Sequence, residues 1–518
     1  MSNGRLKEEA KLALLSVADD VLERENVGYD VGAYRDAFSH VGWDELSQFD
    51  ELLMVNYTFF GPVGSFGPVL EQMGESGVDF WGITDHPRVT PDPVSGKGTM
   101  PAHLQSFWLA VRRPLLASDA FRSYWIGLED PTSYEGVITS FETRFTEHFS
   151  ELGFKWKAAY PASDYGVRNS AMEAPLALLR DGCPLFKKRL YFHDAPWLAR
   201  QGVFSGSVTA EAVKLGYPEE LVLEGVHRRA TARELSFGMD ATFMVPPSSD
   251  DGCEVADDAG EFTTIVGSPW KRLATNGVEA VLGDAKILIV DSIAPRRGHL
   301  SDGAVSSYNY AHSAVVEASG FVSGRLLERP LMAAVFPYMD LLSEPVDGRK
   351  WFSRTKVAES VAEALGLSGP FSHTSVLAPY RSIAAYRREL LESASGRIER
   401  AGGWSALTRV AGDENTLVRI LDLLVGDIAK EEGWFVGQVG TETELRRSAS
   451  LLQDAYSRKP YVQPGYLDYP YSGQIAAPSF KSKVGHFVRQ VSPSAFETLH
   501  SMEARVKEAV RGERDDSK

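Results

Sequence analysis

The chain has 518 residues, more than one ordinary domain of roughly 150 residues uses, so it holds at least two cores. Hydrophobic residues make up 43% and charged residues 24%, which excludes a disordered, collagenous or disulfide-stapled protein. Acidic residues outnumber basic ones, 70 to 54, and the net charge of -16 opposes a nonspecific grip on nucleic acid or on an anionic membrane.

An anionic ligand must therefore be met by a local cluster. Lys187, Lys188 and Arg189 in PLFKKRLYF form one such cluster, and a solvated strand or helix end is the plainer alternative. No apolar run reaches the length of a membrane span, and the start MSNGRLKEEAKLALLSVADDVLERE has no basic region followed by an apolar one. No export signal and no transmembrane segment are expected. Two well-separated cysteines, Cys183 and Cys253, fit a reducing cytoplasm and read as bystanders.

In chain order, Leu12, Leu15, Val17, Val21 and Leu22 predict one amphipathic helix over residues 5–25. A two-glycine loop and a helical pattern follow in RENVGYDVGAYRDAF, then a buried strand in Leu52–Val55. Predicted next are a helix over Phe66–Ser76, a strand over Val78–Ile83 and a strand HLQSFWLAV from His103. Between the last two, TPDPVSGKGTMPA reads as a loop. Helices are predicted over Ser118–Trp125 and Tyr134–Leu152, the second with an apolar stripe of Phe141, Phe145, Phe149 and Leu152. After a strand over Trp156–Tyr160 come helices around Ala210–Lys214 and Glu219–Arg233.

The acidic, Pro- and Ser-containing run 246–261 is the expected linker, which separates a domain of residues 1–245 from a second of residues 262–518. The second half reads as α-rich with few strands. It opens with a helical segment, then places strands at AKILIVD and Ala333–Phe336. Its helices fall around Ala311–Ala318, Lys356–Leu365, Ser382–Ser393, Leu417–Lys430 and Glu442–Tyr456, with a last one in PSAFETLHSMEARVKEAVRGERDDSK. Alternating strands and helices predict the α/β class with a mostly parallel sheet flanked by helices.

Chemistry concentrates in the first half. Asn26, Gly28, Asp30 and Gly32 stand just before a helix, where glycines admit close backbone approach and a helix N-terminus offers unpaired N–H groups. A tight turn with an N-cap explains the same residues. The following strand delivers Asn56, Tyr57 and Thr58 to its carboxyl end, where ligands collect in open α/β sheets. This layout resembles nucleotide-sugar transferases of the GT-A type. In those the triplet is usually Asp-x-Asp and holds a divalent metal, magnesium or manganese. Asn56 and Thr58 supply only neutral oxygens, so no metal is assigned. In inverting GT-A enzymes an acidic residue lies eleven positions before a helix-ending glycine, and Glu142 and Gly153 have that spacing (153 − 142 = 11). Glu142 is thus the candidate base that takes the acceptor proton, against a plain surface glutamate and against Glu147 and Asp85 as rivals.

The run NYTFFGPVGSFGPVLEQMGESGVDFWGITDHP, then HLQSFWLAVRRPLLASDAFRSYW, then FETRFTEHFSELGFKWKAAYP, resembles the rhamnan synthesis protein F family over residues 20–235. The resemblance implies a glycosyltransferase-like protein that moves a rhamnosyl or related sugar from a nucleotide donor such as dTDP-rhamnose to a lipid-linked glycan. It further implies action with other polysaccharide biosynthesis proteins at the inner membrane face. By position, Asn26, Gly28, Asp30 and Asn56 would line the donor site, and Asp85, His86, His103 and Gln105 would lie near the reacting sugar. Only 25 residues precede the Asn-x-Gly loop, so the sheet is expected to lack the first strands of a GT-A domain and to leave an open edge.

Two other classes compete. One is a noncatalytic or degenerate transferase-like component of a biosynthetic complex. The other is a metal-dependent polysaccharide hydrolase using Asp85, His86, His103, His193 and Asp194, whose spacing fits no recognised ligand motif. Aromatic and arginine residues in VFPYMDLL, WFSRT and LAPYRSIAAYRREL read as sugar-stacking or phosphate-binding groups or, more simply, as core and salt-bridge positions.

Overall fold

Strand Phe80–His86 is buried at every position but Asp85, and the first sheet is built around it. The computed structural model describes residues 1–93, 97–193, 195–246, 261–294, 302–339, 355–369, 371 and 376–458. We label the strands of this sheet β1 (Glu51–Val55), β2 (Phe80–His86), β3 (His103–Leu104), β4 (Trp108–Arg112) and β5 (Trp156–Tyr160). β4 lies between β1 and β2 and is antiparallel to both, and β5 runs parallel along the other side of β2. The directions follow from the connections. Residues 103–112 return beside β2 through a loop, whereas β5 is reached through helices, as a parallel partner must be.

One face of β2 is covered by aromatic side chains. Phe38 from helix Tyr29–Val41, Phe121 and Trp125 from helix Asp119–Gly127, and Phe145 and Phe149 from helix Thr143–Glu151 enclose Phe80. Each such fully buried ring contributes about 1.5–3 kcal/mol. The stripe read from sequence holds at Phe141, Phe145 and Phe149, but Leu152 is 54% exposed, because the helix ends at Glu151 and Gly153 turns the chain at φ 93°. The opposite face packs Val69, Met73, Trp81, Trp108 and Leu178.

The amino-terminal segment differs from expectation. Helix Glu8–Leu15 buries no residue, and Leu12 and Val17 are 66% and 83% exposed, so the apolar spacing does not mark a core-facing helix through residue 25. Glu23–Arg24 instead pairs in parallel with Ser2–Asn3. β1 pairs only with β4 among the described residues, and its Leu53 and Val55 are exposed.

The second half contains more strand than its sequence suggests. A six-stranded sheet joins β6 (Thr242–Met244), β7 (Phe262–Val266), β8 (Ile287–Asp291), β9 (Met332–Pro337), β10 (Ala384–Arg387) and β11 (Phe435–Gly440) in the order β6-β11-β9-β10-β8-β7. β10 is antiparallel to both neighbours and the remaining pairings are parallel. The segment 382–393 was expected to be helical throughout, and its first part is strand β10. Arg381 and Ser382 take φ values of 51° and 69°, which no helix continues through, and Ala384–Tyr386 are wholly buried in the sheet. β11 escapes pattern reading because its sequence FVGQVG mixes glycine and glutamine into a strand buried at every position.

The fold is therefore α/β in both halves. β6, contributed from before the expected linker, is an edge strand of the second sheet, and one hydrophobic cluster runs from Phe60 and Val226 to Ile289 and Val439. Residues 247–260 of that linker, and the helix expected near the carboxyl end, lie outside the described residues. No helix among the described residues is long and apolar enough to cross a membrane.

Asp422, inside helix Glu414–Glu431, accepts hydrogen bonds from Trp270 Nε1 and Ser382 Oγ, both at 2.6 Å. Burial lifts its carboxyl from 3.8 to about 6. The unfolded chain releases this proton near 3.8 while the folded chain keeps it to about 6, so stability falls as pH climbs through that window and is level above it. Asp422→Asn should gain stability relative to the parent across the same window in urea unfolding; a constant difference would show that Asp422 does not titrate as its burial requires.

Candidate functional site

The two-glycine loop is shaped by close contacts. Gly28 sits at φ 74° ahead of helix Tyr29–Val41, and the Gly32 N–H donates to its carbonyl at 2.8 Å. A Cβ on Gly28 would strike the Asp130 carboxylate, which Arg35 holds at 2.5 Å, and one on Gly32 would strike the Val27 carbonyl. The glycines thus let the helix begin where Asp30 can turn inward, and Asn26 is exposed and outside the hydrogen bonds that follow.

Asn56 connects this loop to the sheet. Its Nδ2 donates to Asp30 Oδ2 at 3.0 Å, while its Oδ1 accepts from the N–H and hydroxyl of Thr58 at 3.1 and 2.7 Å. Lys187 Nζ donates to Thr58 Oγ1 at 3.1 Å and stands 3.6 Å from the Phe107 ring centroid. Phe59–Phe60 and Phe186–Lys187 pair as a short antiparallel ladder, which is why a lysine so distant in sequence arrives here.

Glu142 completes the group. It is the last residue of a π-helical turn, Ile138–Glu142, that feeds helix Thr143–Glu151. Such a widened turn rotates side chains off the regular helical face. The Ser106 N–H donates to Glu142 Oε2 at 2.9 Å and the Ser106 hydroxyl donates to the same oxygen. No hydrogen bond reaches Glu142 Oε1 among the described residues.

Ser106 is available because the strand HLQSFWLAV is broken. Gly82 pairs with Leu109 and Asp85 with Leu104, so Ile83 and Thr84 face the four residues Gln105–Trp108. This bulge re-aims side chains toward the site. Within it Gln105 accepts from the Thr84 hydroxyl at 2.6 Å and donates to Asn169 Oδ1 at 3.3 Å.

The electrostatics follow from partial burial. Loss of hydration, and secondarily the Glu142 charge, raise the Asp30 carboxyl above its ordinary value, while Asn56 and Lys187 oppose that rise. The Lys187 amine is pulled from 10.5 down to about 7 by lost hydration, against the opposing pull of Glu142 and Asp30.

His86 and His103 are a cross-strand pair with rings stacked at 5.3 Å. Each turns Nδ1 to a carbonyl, of Pro87 and Pro101, so that Nδ1–H is the donor in each ring. Burial and the neighbouring His103 bring His86 down to about 4. Asp85 faces elsewhere: its Oδ1 accepts the Ala162 N–H at 2.6 Å and holds the turn Ala162–Tyr165. Glu147 is ion-paired with Arg144 at 2.7 Å.

Thus Asp30, Asn56, Thr58 and Glu142 come together, with Gln105 beside them. Sequence reasoning placed Lys187 only in a basic cluster and missed Ser106 and Asn169; the signal for Ser106 was the polar Gln-Ser pair inside an otherwise apolar strand. Among the described residues no group of three or more His, Cys, Asp or Glu is arranged to hold a metal ion, and Asp194 lies outside them. Cys183 is buried and unbonded to another cysteine, and Cys253 lies outside the described residues.

The fold and the site define an α/β protein with a carboxylate-lysine cluster at one end of its first sheet. Residues 1–251 match the model of the family described as Rhamnan synthesis protein F, so the resemblance carried by the sequence motifs holds over that stretch. The chain is 29% identical over 153 residues to Virulence protein VirA of Vibrio anguillarum (strain ATCC 68554 / 775), which covers 29% of this chain and 45% of that protein. It is 24% identical over 166 residues to Uncharacterized protein y4gN of Sinorhizobium fredii (strain NBRC 101917 / NGR234), covering 32% and 41% of the two chains. The match spans less than half the length of these curated relatives. No solved structure matches the chain.

Two outcomes test the geometry. Gly28→Ala should lower stability by about 1–3 kcal/mol in urea unfolding, since the left-handed backbone and the Asp130 contact both oppose a side chain. A neutral result would remove the loop's steric argument. Because its folded pKa of about 7 lies below 10.5, Lys187 adds stability as pH rises between the two. Lys187→Met should level the profile in that range, and parallel profiles would show that the amine is not desolvated.

Proposed function

We propose that the chain acts in rhamnan or related polysaccharide synthesis as a glycosyltransferase, with Glu142 as the base. The family match over residues 1–251 supports the polysaccharide role. The observation that carries the chemistry is the Glu142 carboxylate, fixed through Oε2 by both donors of Ser106 and without a hydrogen bond at Oε1. A base held at one oxygen keeps its orientation while the other oxygen meets a substrate proton.

In this reading an acceptor hydroxyl approaches Glu142 Oε1. The carboxylate takes the proton as the oxygen forms its bond to the anomeric carbon of the donor sugar, and the bond from that carbon to the diphosphate oxygen breaks, the electron pair leaving with the nucleoside diphosphate. Attack opposite the leaving group inverts the anomeric centre. Lys187, held by Thr58 and with its amine brought down to about 7, carries positive charge in its protonated fraction beside the polar groups Asp30 and Asn56, which orient the sugar hydroxyls. A nucleotide-linked rhamnose or related hexose is the proposed donor and a glycan hydroxyl the acceptor, with the lipid-linked form acting at a membrane surface. Asp85 and His86 serve here as structural neighbours of the bulge.

Glu142→Gln keeps the size of the side chain and removes its basicity. Donor consumption by the purified protein should fall by about 10²–10⁴-fold while donor affinity, read by thermal shift, stays unchanged. Retained turnover would reject Glu142 as base. Donor binding without turnover in the parent protein would replace the transferase reading with a noncatalytic role in the same process.

A further inference from the structure

A second group of residues adjoins the ladder that carries Lys187 toward Glu142. Asn56, Thr58 and Lys187 are joined to the carboxylate cluster by hydrogen bonds, whereas Tyr57, in the bend between Asn56 and Thr58, and Lys188, which opens the 3-10 turn Lys188–Tyr191 just past the ladder, make their contacts elsewhere. Arg229, which follows helix Glu219–Val226, donates to the Tyr57 hydroxyl and lies 5.1 Å over its ring. The Lys188 ammonium stands 5.2 Å from the Phe60 ring centroid and feels the Arg229 charge.

Neither Lys188 nor Arg229 forms an ion pair with a carboxylate among the described residues. That is unexpected in a chain with 70 acidic and 54 basic residues, where a stray cation is readily matched. Two neighbouring like charges, one of them half-buried, repel each other and lose hydration, costs that a bound anion reverses. Tyr57 is 58% exposed although aromatic, and its hydroxyl, used as an acceptor by Arg229, keeps its own O–H for donation. An ammonium, a guanidinium and a phenol on one exposed patch match the oxygens of a phosphoryl group, to which guanidinium binds as a fork.

We infer that Lys188, Arg229 and Tyr57 form a binding site for a diphosphate ester, separate from the Glu142 cluster. The inference deepens the transferase reading and rests on it only in taking the ester to be substrate. A nucleotide-sugar donor and a lipid-linked glycan both carry this group.

The test measures binding to the full chain by calorimetry, with inorganic pyrophosphate and then with a nucleoside diphosphate as probes. Flotation with phosphatidylcholine vesicles containing or lacking a polyprenyl diphosphate provides the lipid arm. Pyrophosphate should bind the parent and weaken by about tenfold or more in Lys188→Gln and in Arg229→Gln, with a shallower salt dependence in each. Arg229→Lys, which keeps the charge without the fork, should fall between them. A nucleoside diphosphate that binds more tightly than pyrophosphate assigns the site to the donor, and vesicle recruitment lost in the same variants assigns it to the lipid. Absence of pyrophosphate binding to the parent, or an affinity in both Gln variants equal to the parent's, would overturn the inference. Glu142→Gln serves as the separating control: it should bind pyrophosphate as the parent does, so loss of turnover there and loss of binding here fail independently.

Discussion

Asn56 holds two ends of the site in one position. Its amide donates to Asp30 and accepts from Thr58, so the loop before helix Tyr29–Val41, the end of strand β1 and the ladder bearing Lys187 move together or not at all. A side-chain amide suits this place because it donates on one side and accepts on the other, which neither a carboxylate nor an ammonium can do. The consequence is electrostatic. The Glu142 charge acts on both Asp30 and a lysine that has lost much of its hydration, and Asp30 and Lys187 act on each other. Such mutual dependence is expected where a protein prepares charges for a ligand before the ligand arrives.

Two local irregularities deliver the remaining groups. The bulge between β3 and β4 places Ser106 under Glu142, and the π turn at Ile138–Glu142 brings Glu142 over Ser106. Either irregularity alone would leave a carboxylate or a hydroxyl without its partner. The aromatic layer of Phe121, Trp125, Phe145 and Phe149 supports them from beneath, since close packing leaves the helix carrying Glu142 little freedom to slide. The stacked pair His86 and His103 lies just beyond the bulge on β2, with each Nδ1 held by a backbone carbonyl.

The second half adds its own sheet and also stabilises the first. β6 follows directly from the helices of the first half and pairs with β11, and the cluster containing Phe60, Tyr191 and Val226 continues into Ile289, Val335 and Val439. Phe60 belongs to the ladder that positions Lys187 and supports Lys188. A disturbance of the second sheet therefore reaches the site through packing, without any residue of that sheet entering it.

The sequence by itself determined the α/β class, the buried helix stripe at Phe141, Phe145 and Phe149, and strand β5, and it singled out Asp30, Asn56, Thr58 and Glu142 as candidates that the structure places close together. These are properties of periodicity, of strand ends and of spacing along the chain, which survive without knowledge of distant neighbours. Only the tertiary structure decided that residues 5–25 do not form one buried helix, that β10 and β11 are strands, and that Ser106 and Lys187 meet Glu142 and Thr58. Helix Glu8–Leu15 has apolar residues but no surface to bury them on, while β10 is held extended by β8 and β9 on either side. Lys187 reads as one cation among three until the ladder with Phe59–Phe60 brings it to Thr58. The physical reason is common to all of these cases: burial and pairing depend on which segments are adjacent in space, and that adjacency is fixed by the whole fold.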